Sequence, residues 1–192
     1  MATAATYGLG WSAVRAIGVR PCAMDKLTAV SGLLFLVADA LALASLAHPE
    51  WLRSIDVPSG ISLGLLQRCV AIRGRLPICG TPDLPATWAI SLGMIGAAVA
   101  GLTAACGLTA FAFWRQRAAL YARWVAFGAV TLLCLAALVF PAGFSTDQVG
   151  GAAYRLPTSL QVGPSYILFL LALLFALVGL LVATRLCLGA PL

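Results

Sequence analysis

The sequence predicts an all-α membrane protein, a left-handed bundle of four transmembrane helices carrying a small extracellular β-sheet. Three observations carry that expectation. Apolar residues make up 62% of the chain and charged ones 9%, with a mean hydropathy of +1.02, a balance that a soluble domain of 192 residues has too little polar surface to cover. Four stretches reach the length of about twenty residues that crosses a hydrocarbon core as a helix. Two cysteines, Cys69 and Cys79, share one loop, five positions to either side of Gly74.

Residues 1–23 precede the first apolar stretch and read as a cytoplasmic, flexible extension; Arg15 and Arg20 break any apolar run a signal peptide would need. The membrane domain is expected over residues 24–188, with spans at 27–47, 88–113, 124–142 and 165–184, and residues 189–192 form a short cytoplasmic tail. Spans two to four contain no Asp, Glu, Lys or Arg, and span one contains Asp39 alone.

The net charge of +6 is spread outside the spans, so it reads as a topology signal rather than as a nucleic-acid footprint. Arg15, Arg20, Lys26, Arg115, Arg117, Arg123 and Arg185 lie on one side, against Arg53, Arg68, Arg73, Arg75 and Arg155 on the other. The seven-to-five excess puts both termini and the link between spans two and three in the cytoplasm. Tyr121, Trp124 and Trp114 fit an aromatic belt at that interface.

The loop over residues 49–87 then faces outward. Between the cysteines, "AIRGRLPI" offers extended residues about a glycine turn, which is hairpin spacing. Cross-strand pairing brings the two sulfurs together, and a disulfide requires an oxidising compartment, in agreement with the arginine-dense link lying opposite. Alternation in "ISLGLLQRCVAIRG" predicts three or four short strands, and the second outer loop, 143–164, is expected to add an edge strand around Tyr154–Leu156. The chain contains no Asn, which excludes N-linked glycosylation.

Within lipid, helices associate through close packing and polar contacts. Gly93, Ala97, Gly101 and Ala105 recur every fourth residue of span two and predict a packing face of small side chains, toward a neighbouring helix of this chain or of a partner. Asp39, near the middle of span one, costs roughly 2.5–3.5 kcal/mol to insert as an ionised group, so a protonated carboxyl that donates a hydrogen bond to a hydroxyl such as Thr103 or Thr131, or to a backbone carbonyl, is expected there. The single histidine, His48, sits with Pro49, Glu50 and Trp51 at the exit from span one and makes no metal site. Neither a catalytic triad nor a glycine-rich phosphate loop is legible, so the expectation is a protein that is not an enzyme and carries no cofactor.

Trp51, Gly64, Leu65, Cys69 and Cys79 resemble the signature of the claudin and peripheral-myelin-protein superfamily of tetraspan proteins, although Leu66 stands where claudins carry Trp. A closer likeness, in order and spacing, runs through "MDKLTAVSGLLFLVADALALASLAHPEW" from Met24, "RCVAIRGR", "YARWVAF", "FPAGF", "QVGGAAYRLP" and "VGPSYILF". These resemble the modulator-of-Smoothened family over Met24 to about Leu188, so that Met24 corresponds to that family's usual start. The resemblance implies a claudin-like bundle and a binding component that attenuates Hedgehog signalling at the plasma membrane and primary cilium. Its implied partners are a large single-pass receptor-like protein with EGF repeats, a RING ubiquitin ligase of the mahogunin type reached indirectly, and Smoothened as the target that is lowered. On this chain the expected contacts are Trp51, Arg68, Arg73, Arg75, Tyr154 and Arg155 outside, and Asp39, Gly93, Ala97 and Gly101 within the membrane, with membrane lipids around them. The competing class is a claudin-like junction or ion-channel auxiliary protein, in which Arg68, Arg73 and Arg75 favour anions.

Overall fold

The computed structural model describes residues 24–54, 60–71, 78–81, 85–112, 114–115, 117–145, 151–156 and 160–188. The extension over 1–23, the tail and the turn about Gly74 lie outside the described residues.

Four long helices dominate: α1 (Met24–Ala47), α2 (Ala86–Ala112), α3 (Arg117–Ala142) and α4 (Pro164–Leu188). All four are long and apolar enough to cross a membrane, which marks the chain as a multi-pass membrane protein. Their boundaries follow local chemistry. Pro49 closes the exit of α1, Pro85 accepts the first turn bonds of α2 from Trp88 and Ala89, and Pro164 occupies the first position of α4, where its missing N–H costs nothing. The link between α2 and α3 is shorter than hydropathy predicts, because α3 begins at Arg117 rather than near Trp124. "RAALYAR" is a strong helix former, and the edge of the hydrocarbon does not oblige a helix to end.

Buried positions on α2 are Trp88, Ser91, Ile95, Ala98, Leu102, Ala105, Thr109 and Ala112, alternating steps of three and four. That 3.5-residue period is the seam of helices packed with a left-handed twist. α2 packs chiefly against α3, and α1 against α4. Between α2 and α3, a Cβ built on Gly101 would stand 3.0 Å from that of Ala129.

Above one end of the bundle lies a five-stranded antiparallel sheet of order β4-β3-β2-β1-β5, formed by β1 (Leu52–Ser54), β2 (Gly60–Leu63), β3 (Arg68–Ala71), β4 (Ile78–Gly80) and β5 (Leu160–Val162). The second loop does contribute an edge strand, but at Leu160–Val162 rather than at Tyr154–Leu156. Tyr154 adopts φ 61°, which an extended strand cannot contain. Its N–H instead donates to the Pro141 carbonyl, and an isolated bridge between Ala152 and Arg155 closes the turn around it.

Trp51 joins sheet to bundle. Its side chain is 1% exposed, its indole N–H donates to the Ser45 carbonyl at 2.8 Å, and its ring meets those of Phe140, Tyr166 and Phe169 at 5.0, 5.9 and 5.5 Å. Beside it the Gly163 N–H donates to the Trp51 carbonyl at 2.9 Å, so close that a Cβ on Gly163 would collide with the Glu50 carbonyl. Gly163→Ala is therefore expected to cost about 1–3 kcal/mol as the two loops are forced apart. Thermal unfolding in mild detergent would register this as a lower midpoint; an unchanged midpoint would show that the joint can yield.

Candidate functional site

Two surfaces offer chemistry: a membrane-embedded face of α1 and α2, and the exterior sheet. The embedded face begins at Asp39, half-buried on α1. The Thr103 hydroxyl on α2 donates to its Oδ2 at 2.9 Å and lies equally close, 3.0 Å, to the Val99 carbonyl. One hydroxyl hydrogen serves two acceptors, and Oδ1 of Asp39 is buried with no partner. Of the two hydroxyls the sequence offered, Thr103 is the one that meets the acid; Thr131 bonds back to the Phe127 carbonyl. In a hydrocarbon setting an unpaired carboxyl oxygen is costly, so the site is short of one hydrogen-bond donor.

Around this acid the outward face of α2 is nearly bare. Ala89, Gly93, Gly96, Ala97, Ala100, Ala104 and Gly107 are all exposed, with Ile90 and Phe111 as the large side chains at either end. The other helices show lipid a different face: Leu33, Leu36 and Leu43 on α1, Leu135 and Leu138 on α3, Leu170, Leu174 and Leu181 on α4. The four-residue stripe therefore splits. Ala105 is buried in the bundle and Gly101 touches Ala129, whereas Gly93 and Ala97 face outward. Each step of four advances about 40° around a helix of 3.6 residues per turn, so three steps carry the stripe roughly 120° from the outer face into the seam.

On the exterior sheet, Cys69 and Cys79 are cross-strand partners and are joined in a disulfide. Their row continues through Ser62, Arg53 and Gln161, so five strands contribute one line of side chains to a single face. Arg68 is exposed but belongs to the neighbouring row, with Leu52 and Leu63, and so stands on the opposite face from Arg53. Arg73 and Arg75 lie outside the described residues. Among the described residues, Arg53, which composition marks only as a charge, is the arginine that shares the disulfide's face. Tyr154 and Arg155 are exposed on the turn pinned to Pro141, Tyr154 at 65%. A bulky residue held at positive φ with its ring outward costs of order 1–3 kcal/mol, which the backbone tie sustains. Trp51 sits in the core, and its indole is unavailable to another protein's surface.

The comparison with known families bears directly on this arrangement. A family profile described as Attenuator of Hedgehog matches residues 48–189, about three-quarters of the chain. The chain belongs to the Attenuator of Hedgehog family. Membership implies attenuation of Hedgehog signalling. Within the chain, the Attenuator of Hedgehog match starts at His48 and takes in the sheet, the disulfide, the Tyr154 turn and helices α2 to α4. Both candidate surfaces fall within it except for Asp39, which lies on α1.

Proposed function

We propose that the chain is a non-enzymatic membrane adaptor that attenuates Hedgehog signalling by supporting a transmembrane ubiquitin-ligase complex, which lowers Smoothened at the cell surface and primary cilium. Its role is to hold a large single-pass receptor-like protein with EGF repeats, through which a RING ligase of the mahogunin type is recruited. The bundle in this reading is claudin-like, with the sheet outside and both termini in the cytoplasm, since a disulfide between Cys69 and Cys79 persists only on the oxidising side.

The observation that carries the proposal is the bare outer face of α2 beside the under-paired Asp39. Small residues let a second helix approach closely, and close approach is what binds helices in lipid, where there is no water to escape. A partner helix presenting small residues and one hydroxyl or amide donor would supply the contact that Oδ1 lacks. Above the membrane, the Arg53 row and the Tyr154 turn offer a rigid polar surface to the same partner's exterior.

Ala97→Leu puts a large side chain on the outward face and leaves the buried seam untouched. It is expected to weaken co-purification of the EGF-repeat protein roughly tenfold while Cys69 and Cys79 stay joined and the chain stays monodisperse, and to raise surface Smoothened. Conductance across an epithelial layer, followed in the same cells, is expected not to change. A conductance change with Smoothened unaltered would favour the junction or channel-auxiliary class and overturn the adaptor.

A further inference from the structure

We propose that a single water molecule binds inside the bundle, at the end opposite the sheet, and bridges α1 to α2 through the hydroxyls of Ser31 and Thr109. A space of about 20 Å³ lies there, and all four helices border it: Thr28, Ser31 and Phe35 of α1, Thr109 of α2, Ala122 of α3 and Ala183 of α4. Each of the six is buried, Ser31 to 2% exposure and Thr109 to 7%. Volume decides the occupant. One water needs roughly 10–15 Å³, whereas organic ligands take sites of about 300 Å³ upward.

The chemistry of the lining agrees with the volume. Ser31 donates to the Thr28 carbonyl at 3.0 Å, and the Thr109 hydroxyl has the carbonyls of Ala105 and Cys106 at 3.0 and 2.8 Å. Each hydroxyl hydrogen is committed to its own helix, so what remains on each oxygen is capacity to accept. Two spent donors cannot bond each other. A water can join them, because it carries two hydrogens on one small atom and gives one to each oxygen. Cavities that stay dry are walled by apolar groups, whereas buried polar walls hold water that makes about two to four such bonds. A divalent cation is the wrong occupant: it asks for carboxylates, and among the described residues none borders the space.

The position gives the water a structural task. α1 packs chiefly against α4 and α2 against α3, so the α1–α2 seam joins two helix pairs. Nearer the sheet the join is direct, from the Thr103 hydroxyl to Asp39 at 2.9 Å. Roughly two turns further along, Ser31 and Thr109 border one space across the same seam. Gly32 lets them come this close, since a Cβ on it would stand 3.3 Å from Thr109 Oγ1. The water supplies there the polar link that Asp39 supplies above.

Hydroxyl-radical footprinting of the full chain in nanodiscs tests the site, because ionising radiation splits a bound water in place and the radical labels the nearest side chain. Phe35 borders the space and is 1% exposed; Phe169, 0% exposed, packs among the rings of Trp51 and Tyr166 and serves as the dry reference. Phe35 is expected to label well above Phe169. After mixing with oxygen-18 water, its label should take up the heavy isotope more slowly than that of Tyr154, which is 65% exposed on the exterior turn. Thr109→Val keeps the shape of the side chain and removes its oxygen, and Ser31→Ala removes the other oxygen. Each should bring Phe35 down to the level of Phe169, with thermal unfolding confirming that the variant is folded; if the threonine variant does not fold, Ser31→Ala carries the comparison alone. Labelling of Phe35 no greater than that of Phe169, isotope uptake as fast as at Tyr154, or a label retained in either folded variant would each overturn the bridging water.

Discussion

Trp51→Ala is expected to destabilise the folded chain by about 3–5 kcal/mol, the range found when a large buried aromatic is truncated in a core that cannot collapse around the gap. The side chain is 1% exposed and meets three rings, Phe140 from α3 and Tyr166 and Phe169 from α4, while its N–H ends on the Ser45 carbonyl of α1. Removing it empties the point where three helices and the first strand converge, and leaves the Ser45 carbonyl without that donor. Trp51→Phe keeps part of the packing and loses the hydrogen bond, so it should fall between the wild type and Ala. Thermal unfolding in mild detergent, together with the fraction of chain reaching the cell surface, measures both. A midpoint for Trp51→Ala within a degree or two of the wild type would mean the sheet is held to the bundle by its backbone ties alone. Those ties are the Gly163 N–H to the Trp51 carbonyl at 2.9 Å and the Ser165 N–H to the Glu50 carbonyl at 3.3 Å.

The residue that anchors the molecule was legible as a marker but not in its role. A tryptophan just past a span reads as an interfacial anchor or a contact for a partner. Its burial is decided by rings some ninety to a hundred and twenty positions further along, and no local pattern reports them. The spans themselves were legible because lipid imposes length and apolarity on any helix that crosses it. Their ends were not: α3 runs through Tyr121 and Arg123, since hydropathy marks where the hydrocarbon stops and not where the backbone unwinds. Spacing gave the cysteine pair, and the observed register sets Cys69 opposite Cys79, as symmetry about Gly74 requires. Leu160–Val162 went unread because three residues without alternation carry no strand signal, and β5 exists only through its pairing with β1. The four-residue stripe on α2 was visible, but its drift against the 3.5-residue seam decides which half faces outward, and only packing shows where the seam lies.

Changing Cys69 and Cys79 together to Ala is expected to cost about 3 kcal/mol, the loop-closure entropy of a bridge spanning ten positions of sequence. Where that loss appears follows from the sheet order. β3 pairs with β2, but β4 pairs with β3 alone and forms the open edge, with Ile78, Cys79 and Gly80 all exposed. β1 and β2 keep Leu52 and Leu63 in the core in either state. The hairpin should therefore open locally while the helices melt at nearly the same temperature, as expected for a segment with few buried apolar contacts. Amide hydrogen exchange separates the two outcomes: faster exchange over 68–71 and 78–80 with unchanged protection in α2 and α3 supports local opening, whereas loss of protection throughout would show that the bridge holds the whole bundle. The same bond reports sidedness. A membrane-impermeant reductant applied to intact cells should free both thiols for labelling if the sheet faces outward, and reproduce the exchange pattern of the double variant; thiols that label only after permeabilisation, without any reductant, would place the sheet in the cytosol and remove the exterior surface on which the adaptor depends.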